Sequence, residues 1–275
     1  MRVSEFDYPL PRELIAKRPR TVRGGSRLMV LERGTRSASH ARFADLTRWL
    51  RPGDLLVRND TRVIRARLRG QRDGGGEVEV LLLRAEAKDG GDEIWTCLAR
   101  PGRRLRQGQS VHLPGELSGI WLDEGNGDGI RRIRLRSETP ILEVLERAGE
   151  VPLPPYLERR ADDEDADAYQ TVYARIPGSV AAPTAGLHFT DQIFSELASA
   201  GIEIRSLTLH VGAATFLPFR GERIEDQSLP AEPVAIPAET AVAVASAKRE
   251  GRRVVAVGTT TVRALEAGLA DLVPK

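Results

Sequence analysis

Four short segments of this sequence carry side chains suited to acid–base or binding chemistry. Each places threonine, histidine, carboxylate or arginine side chains beside turn residues, at the predicted end of a strand or start of a helix. The segments are VRNDTRV (57–63), VAAPTAGLHFT (180–190), TLHVGAATF (208–216) and VAVGTTTVR (255–263). Ligands of open α/β sheets collect beyond the carboxyl ends of strands, and the free amides of a helix start favour an anion. The four segments therefore predict one shared site.

Each segment also has an ordinary structural interpretation. The Asn-Asp-Thr sequence at 59–61 is typical of a turn, and the Gly-Thr-Thr sequence at 258–260 is typical of a capped helix start. A single histidine in a strand, such as His210, is more often a satisfied structural residue than a catalyst. The convergence of four elements on one edge favours a site, but it does not identify the reaction.

Composition is that of a globular protein. The chain has 275 residues, 41% hydrophobic and 29% charged, which is enough for one large domain or two moderate ones. Cys97 is the single cysteine, which excludes an internal disulfide, a zinc ribbon and a cysteine-ligated iron–sulfur cluster. No apolar run approaches about 20 residues, and the start, MRVSEFDYPLP, lacks the apolar core of a signal peptide. We therefore expect a cytoplasmic protein.

The two ends of the chain have the mixed helix and strand pattern of an α/β protein. Before residue 61 the pattern predicts helices at 11–17 and 40–54 and strands at 26–33 and 54–59. After residue 190 it predicts helices at 191–201, 238–251 and 259–268 and strands at 202–211 and 252–258. Thr190 is the expected N-cap of the first of these helices. We expect a discontinuous α/β main domain formed by residues 1–61 and 150–275.

The middle of the chain has a different pattern. Six short segments alternate apolar and polar residues with glycine-rich turns between them: RVIRARLRG, EVEVLLLRAE, EIWTCLAR, QSVHLP, SGIWLDE and IRRIRLR. This pattern is typical of a small antiparallel β-barrel or sandwich. A helix predicted at TPILEVLERAGEV (139–151) follows. We expect residues 62–149 to form a β-rich domain inserted into the main domain, so the predicted fold class is α/β (α+β).

Arginines supply most of the positive charge and occur in three clusters. The formal net charge is only +2, but arginines are concentrated in RVIRARLRGQR (62–72), ARPGRRLR (99–106) and RRIRLR (131–136). Guanidinium groups bind phosphates bidentately and stack on bases, so the clusters are consistent with an RNA partner. Arginines that alternate along half-exposed strands explain the same pattern without a nucleic acid.

Several sequence blocks together resemble a known family. VAAPTAGLHF, TLHVGAATF, VGTTTVRALE, RPGDLLVRNDTRVIRARL, PLPPYLERR and YQTVY are similar, in the same order, to the S-adenosylmethionine:tRNA ribosyltransferase-isomerase family of the queuosine pathway. The resemblance runs from FDYPLPRELIAKRP to the end of the chain. It implies an α/β domain interrupted by a β-rich domain, which agrees with the pattern above. It also implies a monomer that uses a tRNA with a modified wobble base and S-adenosylmethionine, as ribosyl donor, without a cofactor or metal.

The family's reaction transfers and isomerises the ribosyl group of S-adenosylmethionine onto 7-aminomethyl-7-deazaguanine at the tRNA wobble position, giving epoxyqueuosine, adenine and methionine. It requires a general base, a proton donor near adenine and a neutral amine. The resemblance implies His188, His210 and Asp60 as catalytic residues, and the positive end of the following helix would lower the pKa of His188. The implied substrate-binding residues are Thr184, Gly186, Arg62, Asp226, Gly258, Thr259, Thr260 and Arg263.

The sequence departs from the family pattern at several positions. The family usually has an Ile-Glu-Asp-His block with a second histidine soon after, and this chain has Gln227 and Pro230 at those two positions. Ala214 stands where the family usually has glycine, and Gly24 where it usually has aspartate. The family also continues several dozen residues beyond the last helix predicted here. Two alternatives therefore stay open: a non-catalytic or degenerate tRNA-binding relative, and an enzyme that uses the same pocket on a different nucleoside.

Overall fold

A computed structural model describes residues 1–19, 22–125, 129–212, 221–226 and 230–268, apart from the side chain of Arg103. Its strands form a closed six-stranded barrel, a four-stranded sheet and two two-stranded sheets. The predicted fold class, mixed α/β with a β-rich middle, is confirmed. Within these ranges no helix is long and apolar enough to cross a membrane.

The strands and helices have the following bounds. The strands are β1 (Arg27–Glu32), β2 (Ser37–Arg42), β3 (Leu55–Asn59), β4 (Thr61–Val63), β5 (Arg67–Arg72), β6 (Glu77–Asp89), β7 (Asp92–Arg100), β8 (Ser110–Leu113), β9 (Leu117–Trp121), β10 (Ile130–Arg136), β11 (Ile176–Ser179), β12 (Glu203–Leu209), β13 (Val234–Ala235) and β14 (Val254–Ala256). The α-helices are α1 (Ile141–Ala148), α2 (Asp165–Ala168), α3 (Asp191–Ser199), α4 (Ala238–Arg249) and α5 (Thr259–Gly268). Short 3-10 segments lie between them.

The first 50 residues are less helical than the sequence predicts. The helix predicted at 11–17 is only a 3-10 turn, Arg12–Leu14, and none of its residues is buried. Helix nucleation is unfavourable, and a segment without a buried face gains little packing energy to offset it.

The prediction of an amphipathic helix over residues 40–54 is wrong. Its first three residues pair instead with β1 in an antiparallel hairpin, in which His40 lies opposite Met29. Pro52 and Gly53 end the segment on the other side, so only a 3-10 segment, Phe43–Trp49, remains. The sequence pattern does not reveal this because strand pairing depends on residues outside the helical window.

The four-stranded sheet has the order β13, β12, β3, β14, and its three longer strands are parallel. Leu55 and Val57 of β3 pack in the apolar cluster that includes residues of α4 and α5. Leu56 packs in the opposite cluster with residues of α3 and with Phe43. Because helices cover both faces, β3 is apolar along most of its length, as expected for a buried parallel strand.

The barrel closes in the order β10, β7, β6, β5, β8, β9, and every neighbouring pair is antiparallel. Trp121 and Ile133 are fully buried in its core, and Val144 and Leu145 of α1 pack against the same cluster. The predicted antiparallel β-barrel is therefore confirmed, whereas the domain boundaries at residues 62 and 149 stay a prediction. The chain passes from the sheet to the barrel through β4, which pairs in parallel with β11.

Helix α3 begins as the sequence predicts. Thr190 has an extended backbone, and its Oγ1 accepts a hydrogen bond from the amide nitrogen of Ile193 at 3.2 Å. This satisfies one of the free amides at the helix start. Ile193 and Leu197 then pack the apolar face of the helix against the four-stranded sheet, which we call the main sheet.

Replacing Thr190 by alanine should lower the free energy of unfolding by about 1 kcal/mol, because the cap to the Ile193 amide is lost. Thr190→Ser retains the hydroxyl and should stay close to the wild type. Urea denaturation followed by circular dichroism measures both variants. An alanine variant as stable as the serine variant would contradict the capping role.

Candidate active site

Three parallel strands place their carboxyl ends at one edge of the main sheet. Strand β3 ends at Asn59, β12 ends at Leu209 just before His210, and β14 ends two residues before Gly258. Three of the four segments selected from the sequence therefore meet at this edge. The fourth reaches it through Ala185, whose Cβ would lie 3.3 Å from a Cβ built on Gly258.

The buried amide of Asn59 ties these strand ends together. Its Nδ2 donates to the carbonyl oxygen of Leu209 at 2.9 Å and to Oγ1 of Thr260 at 3.3 Å. Its Oδ1 accepts from the amide nitrogens of Leu209 at 3.0 Å and Thr61 at 3.2 Å. Asn59 is fully buried, so these partners replace all of its contacts with water. The residue fixes the start of α5 relative to β3 and β12.

His210 is held beside this edge by its ring. Nδ1 lies 2.8 Å from Oγ1 of Thr61, which is itself fully buried. The face of the ring lies over Gly178, where an added Cβ would be 2.9 Å from Cε1. Burial lowers the pKa of His210, and the nearby carboxylate of Asp60 opposes this shift. His210 is therefore mostly neutral at pH 7.

The ring of His210 borders a cleft of about 670 Å³, which we call the His210 cleft. One wall comes from the barrel and the start of α1, and the other comes from β11, from the residues that follow β12 and from the residues that precede β13. The side chains used below are Leu83, Trp95 and Leu142 on the first wall and Gly178, His210, Pro230 and Glu232 on the second. A cavity of this size with apolar walls and a few polar groups is typical of a small-molecule site.

Asp60, which the sequence predicts to be catalytic, lies in the interior beside the strand ends. Its side chain is buried, and Oδ2 accepts from Nε and Nη2 of Arg175 at 3.1 and 2.9 Å. Oδ1 accepts from Oγ1 of Thr208 at 2.6 Å. Both oxygens are therefore engaged within the protein. In this arrangement Asp60 fixes Arg175 and Thr208 and acts on His210 through its charge.

Glu232 is a site residue that the sequence analysis did not select. Its Oε1 accepts from the amide nitrogen of Gly212 at 2.8 Å, and its Oε2 forms an ion pair with Nη1 of Arg263. Arg263 also donates to the carbonyl oxygen of Pro230 at 3.0 Å. The predicted residue Arg263 thus supports the wall of the His210 cleft through Glu232. The sequence feature that could have pointed to Glu232 is its position between two prolines, in PAEP.

His188 opens into a second cavity of about 630 Å³, which Thr184 also lines. The ring of His188 lies 5.3 Å from that of Phe43, and partial burial lowers its pKa. The expected cause of a lowered pKa was a helix start at His188. Instead, His188 ends a 3-10 turn two residues before the Thr190 cap. The two predicted catalytic histidines therefore face different cavities.

Close packing requires a glycine at position 186. A Cβ at this buried position would lie 2.1 Å from Oη of Tyr173 and 2.8 Å from Cγ2 of Thr171. The loop can follow this path only with glycine. Gly186 thus sets the position of the neighbouring residues Ala185 and His188.

The remaining predicted residues lie in several places. Arg62 is exposed and approaches Glu146 of α1 at 4.0 Å, and Asp226 is exposed in the 3-10 turn Ile224–Asp226. Thr259 is exposed at the first turn of α5. Gln227 and Ala214 lie outside the described residues. In the part of the chain that the structure describes, no group of three or more His, Cys, Asp or Glu could hold a metal ion.

Replacing Asn59 by alanine should lower the free energy of unfolding by about 3 kcal/mol or more. The change leaves the amide and carbonyl groups of Leu209 without these partners, and each buried unsatisfied group costs about 1 to 3 kcal/mol. Gln192→Ala removes an exposed amide that contacts Glu196 and should change stability by less than about 0.5 kcal/mol. Equal losses in the two variants, measured by urea denaturation, would contradict the role of Asn59.

Comparison with known proteins gives consistent matches along the chain. The family model described as queuosine biosynthesis protein matches residues 3–274. An S-adenosylmethionine:tRNA ribosyltransferase-isomerase from Syntrophotalea carbinolica is 48% identical over 266 residues, which cover 97% of this chain and 77% of the relative. The enzyme of the same name from Pelobacter propionicus has the same identity and coverage.

A solved structure is similar to this chain as well. It is the crystal structure of an S-adenosylmethionine tRNA ribosyltransferase from Thermotoga maritima, with 31% sequence identity and a TM-score of 0.44. The match covers 98% of this chain and 74% of the other. The family model and the curated relatives are sufficient by themselves: the chain belongs to the queuosine biosynthesis protein family and is an enzyme of the transferase and isomerase type.

Proposed function

We propose that this chain transfers and isomerises the ribosyl group of S-adenosylmethionine onto 7-aminomethyl-7-deazaguanine at the wobble position of a tRNA. The products are epoxyqueuosine in the tRNA, adenine and methionine. The relatives that carry the corresponding name support the donor and the tRNA class. The modified base and the products rest on the resemblance of the sequence blocks described above.

The observation that carries this proposal is the His210 cleft. Its volume of about 670 Å³ is sufficient for a nucleoside with an attached amino-acid group. Trp95 and Leu142 supply apolar surface for a base or ribose, while His210 and Glu232 supply polar contacts. The cleft lies between the barrel and the edge of the main sheet, so both parts of the fold contribute to the proposed site.

The chemistry follows from the sulfonium group of the donor. The positive sulfur acidifies the adjacent 5′ carbon, so a base can remove a proton there. Adenine then leaves, the aminomethyl nitrogen attacks the sugar, and the epoxide closes as methionine departs. The pKa of both His188 and His210 is lowered by burial, so at pH 7 each ring is mostly neutral. A neutral imidazole can accept a proton or share a hydrogen bond in such a sequence.

Two other functions predict different results in one assay. A non-catalytic tRNA-binding relative, to which the changes at Gln227 and Pro230 pointed, would release no adenine from S-adenosylmethionine. An enzyme for another nucleoside would release adenine without a requirement for the modified tRNA. The proposed function predicts adenine release only with tRNA that carries the aminomethyl base. Chromatographic measurement of adenine with modified, unmodified and no tRNA separates the three.

His188→Ala should lower tRNA-dependent adenine release by about 100-fold or more, which is the usual contribution of a general acid or base. His188 lies outside the buried core, so its removal should leave the thermal unfolding temperature nearly unchanged. His40→Ala replaces another exposed histidine, on β2, and serves as the matched control with activity close to the wild type. Near-normal adenine release in the His188 variant would remove this residue from the mechanism.

The arginine clusters differ in how far they are neutralised within the protein. In the first cluster Arg67 and Arg69 pair with Glu79. In the third cluster Arg132, Arg134 and Arg136 pair with Asp123, Asp89 and Asp92 respectively. These arginines agree with the interpretation of the clusters as half-exposed strands. Their charge is compensated before an RNA approaches.

The cluster at 99–106 retains uncompensated charge. Among the described side chains of this segment, Arg100, Arg104 and Arg106 are exposed and have no ion pair or hydrogen bond through their guanidinium groups. The buried guanidinium of Arg131 donates from Nη2 to the carbonyl oxygen of Gly102 at 2.7 Å, which holds this segment on the barrel. We infer that this surface contributes phosphate contacts to tRNA binding.

Replacing Arg104 and Arg106 together by glutamine should weaken tRNA binding and reduce its salt dependence. Each lost phosphate contact lowers the slope of log K against log salt by about 0.7 to 0.9. Arg132→Gln with Arg134→Gln removes the same charge from the compensated cluster and should have a smaller effect. Fluorescence anisotropy at several salt concentrations provides the slopes. An equal slope change in both double variants would contradict the assignment of the surface to residues 99–106.

A further inference from the structure

Among the residues that the structure describes, the ring of His210 is the single hydrogen-bond partner of the Thr61 hydroxyl. Thr61 is fully buried, and its Oγ1 lies 2.8 Å from Nδ1 of His210. The described part of the chain offers this hydroxyl no second hydrogen bond. The direction of this one hydrogen bond therefore decides which nitrogen of the imidazole carries the proton.

Burial makes one direction favourable. If Nδ1 carried the proton, Oγ1 would accept it and the hydroxyl hydrogen of Thr61 would be left in the interior without an acceptor. An unsatisfied buried donor is costly, whereas a hydroxyl that donates to an unprotonated Nδ1 is fully satisfied. The second arrangement places the ring proton on Nε2, because one nitrogen of a neutral imidazole is protonated.

The ring is also fixed in orientation. Gly178 lies against its face, and a Cβ there would be 2.9 Å from Cε1 and 3.1 Å from both ring nitrogens. The backbone nitrogen of His210 donates to the carbonyl oxygen of Pro233 at 3.1 Å. Among the described residues Nε2 has no protein partner, and His210 borders the His210 cleft. Nε2 is therefore the ring nitrogen that remains for a ligand.

We propose that Thr61 is a positioning residue that fixes His210 as a neutral imidazole with its proton on Nε2, so that His210 donates a hydrogen bond to a ligand in the cleft. The ligand atom that it meets is an acceptor, such as a ring nitrogen of a purine. A neutral imidazole that donates can stabilise developing negative charge without giving up its proton. His210 is then not the base that removes the 5′ proton in the proposed reaction. This assignment of its role rests on the proposed function.

Nitrogen-15 NMR of the ring tests the protonation directly in the wild-type chain. The chain has four histidines, so comparison with a His210→Asn variant assigns the resonances. At about pH 8, where histidines are neutral, we expect Nδ1 of His210 to show the shift of an unprotonated nitrogen and Nε2 that of a protonated one. A ring with its proton on Nδ1, or an even mixture of the two forms, would overturn the proposal.

Two variants of Thr61 test its role. Thr61→Val has nearly the same shape but lacks the hydroxyl, so the ring should become a mixture of tautomers and kcat for adenine release should fall about tenfold. Thr61→Ser should restore both. An unchanged tautomer in Thr61→Val would show that Thr61 does not position the ring. If the valine variant does not fold, the wild-type spectrum still decides the tautomer.

The NMR spectrum and the adenine assay test the inference and the proposed function separately. The spectrum requires only the unliganded chain, and it does not depend on which reaction the chain catalyses. Absence of adenine release from the wild type, together with the expected spectrum, would reject the proposed function and leave the assignment of the ring proton in place. Adenine release with a proton on Nδ1 would reject the inference and leave the function in place.

Discussion

The geometry of the site depends on the hydrogen bonds that the buried amide of Asn59 makes across the edge of the main sheet. Both ends of the amide are used, and the partners come from β12, from α5 and from the start of β4. In a low-dielectric interior such a network is strong only when every member has its partner. One side chain therefore fixes the register of Thr61, Leu209 and Thr260 together, and the position of His210 follows from it.

A second constraint is that some charged side chains are paired within the protein, whereas others stay available to a ligand. Asp60 is buried and bound to Arg175, and several arginines of the barrel strands are bound to carboxylates elsewhere in the barrel. Arg131 is buried and donates to backbone carbonyls. Clusters that look equally basic in the sequence thus differ in the potential that they present to a polyanion. The charge left for a ligand is a property of the pairing, and net charge alone does not show it.

The sequence was sufficient for features that depend on neighbouring residues. Alternation and turn composition predicted the barrel, and Thr190 predicted the start of α3, because these patterns are local. The helix prediction over 40–54 was wrong because the first residues of this segment pair with β1 in a hairpin, and such pairing joins two segments of the chain. The meeting of strand ends was predictable from their order. The cavity that His188 faces was not, since it depends on the path of the loop around Gly186.

Glu232 shows the same limit for a site residue. It belongs to no motif, and its importance comes from Gly212 and Arg263, which are distant in sequence. Likewise, Thr61 looks like an ordinary turn residue until the structure shows the ring beside it. Side chains whose roles come from long-range contacts are the ones that composition and spacing miss.

The passage of the chain through β4 links the barrel to the chemistry of the sheet edge. Thr61 opens β4, and only three residues separate the end of that strand from Arg67, where the barrel begins. A shift of the barrel against the sheet would therefore move the group that contacts His210. A macromolecule bound to the barrel and a small molecule bound in the cleft would both act on this connection. If either binding event caused such a shift, each would change the affinity for the other by the same factor.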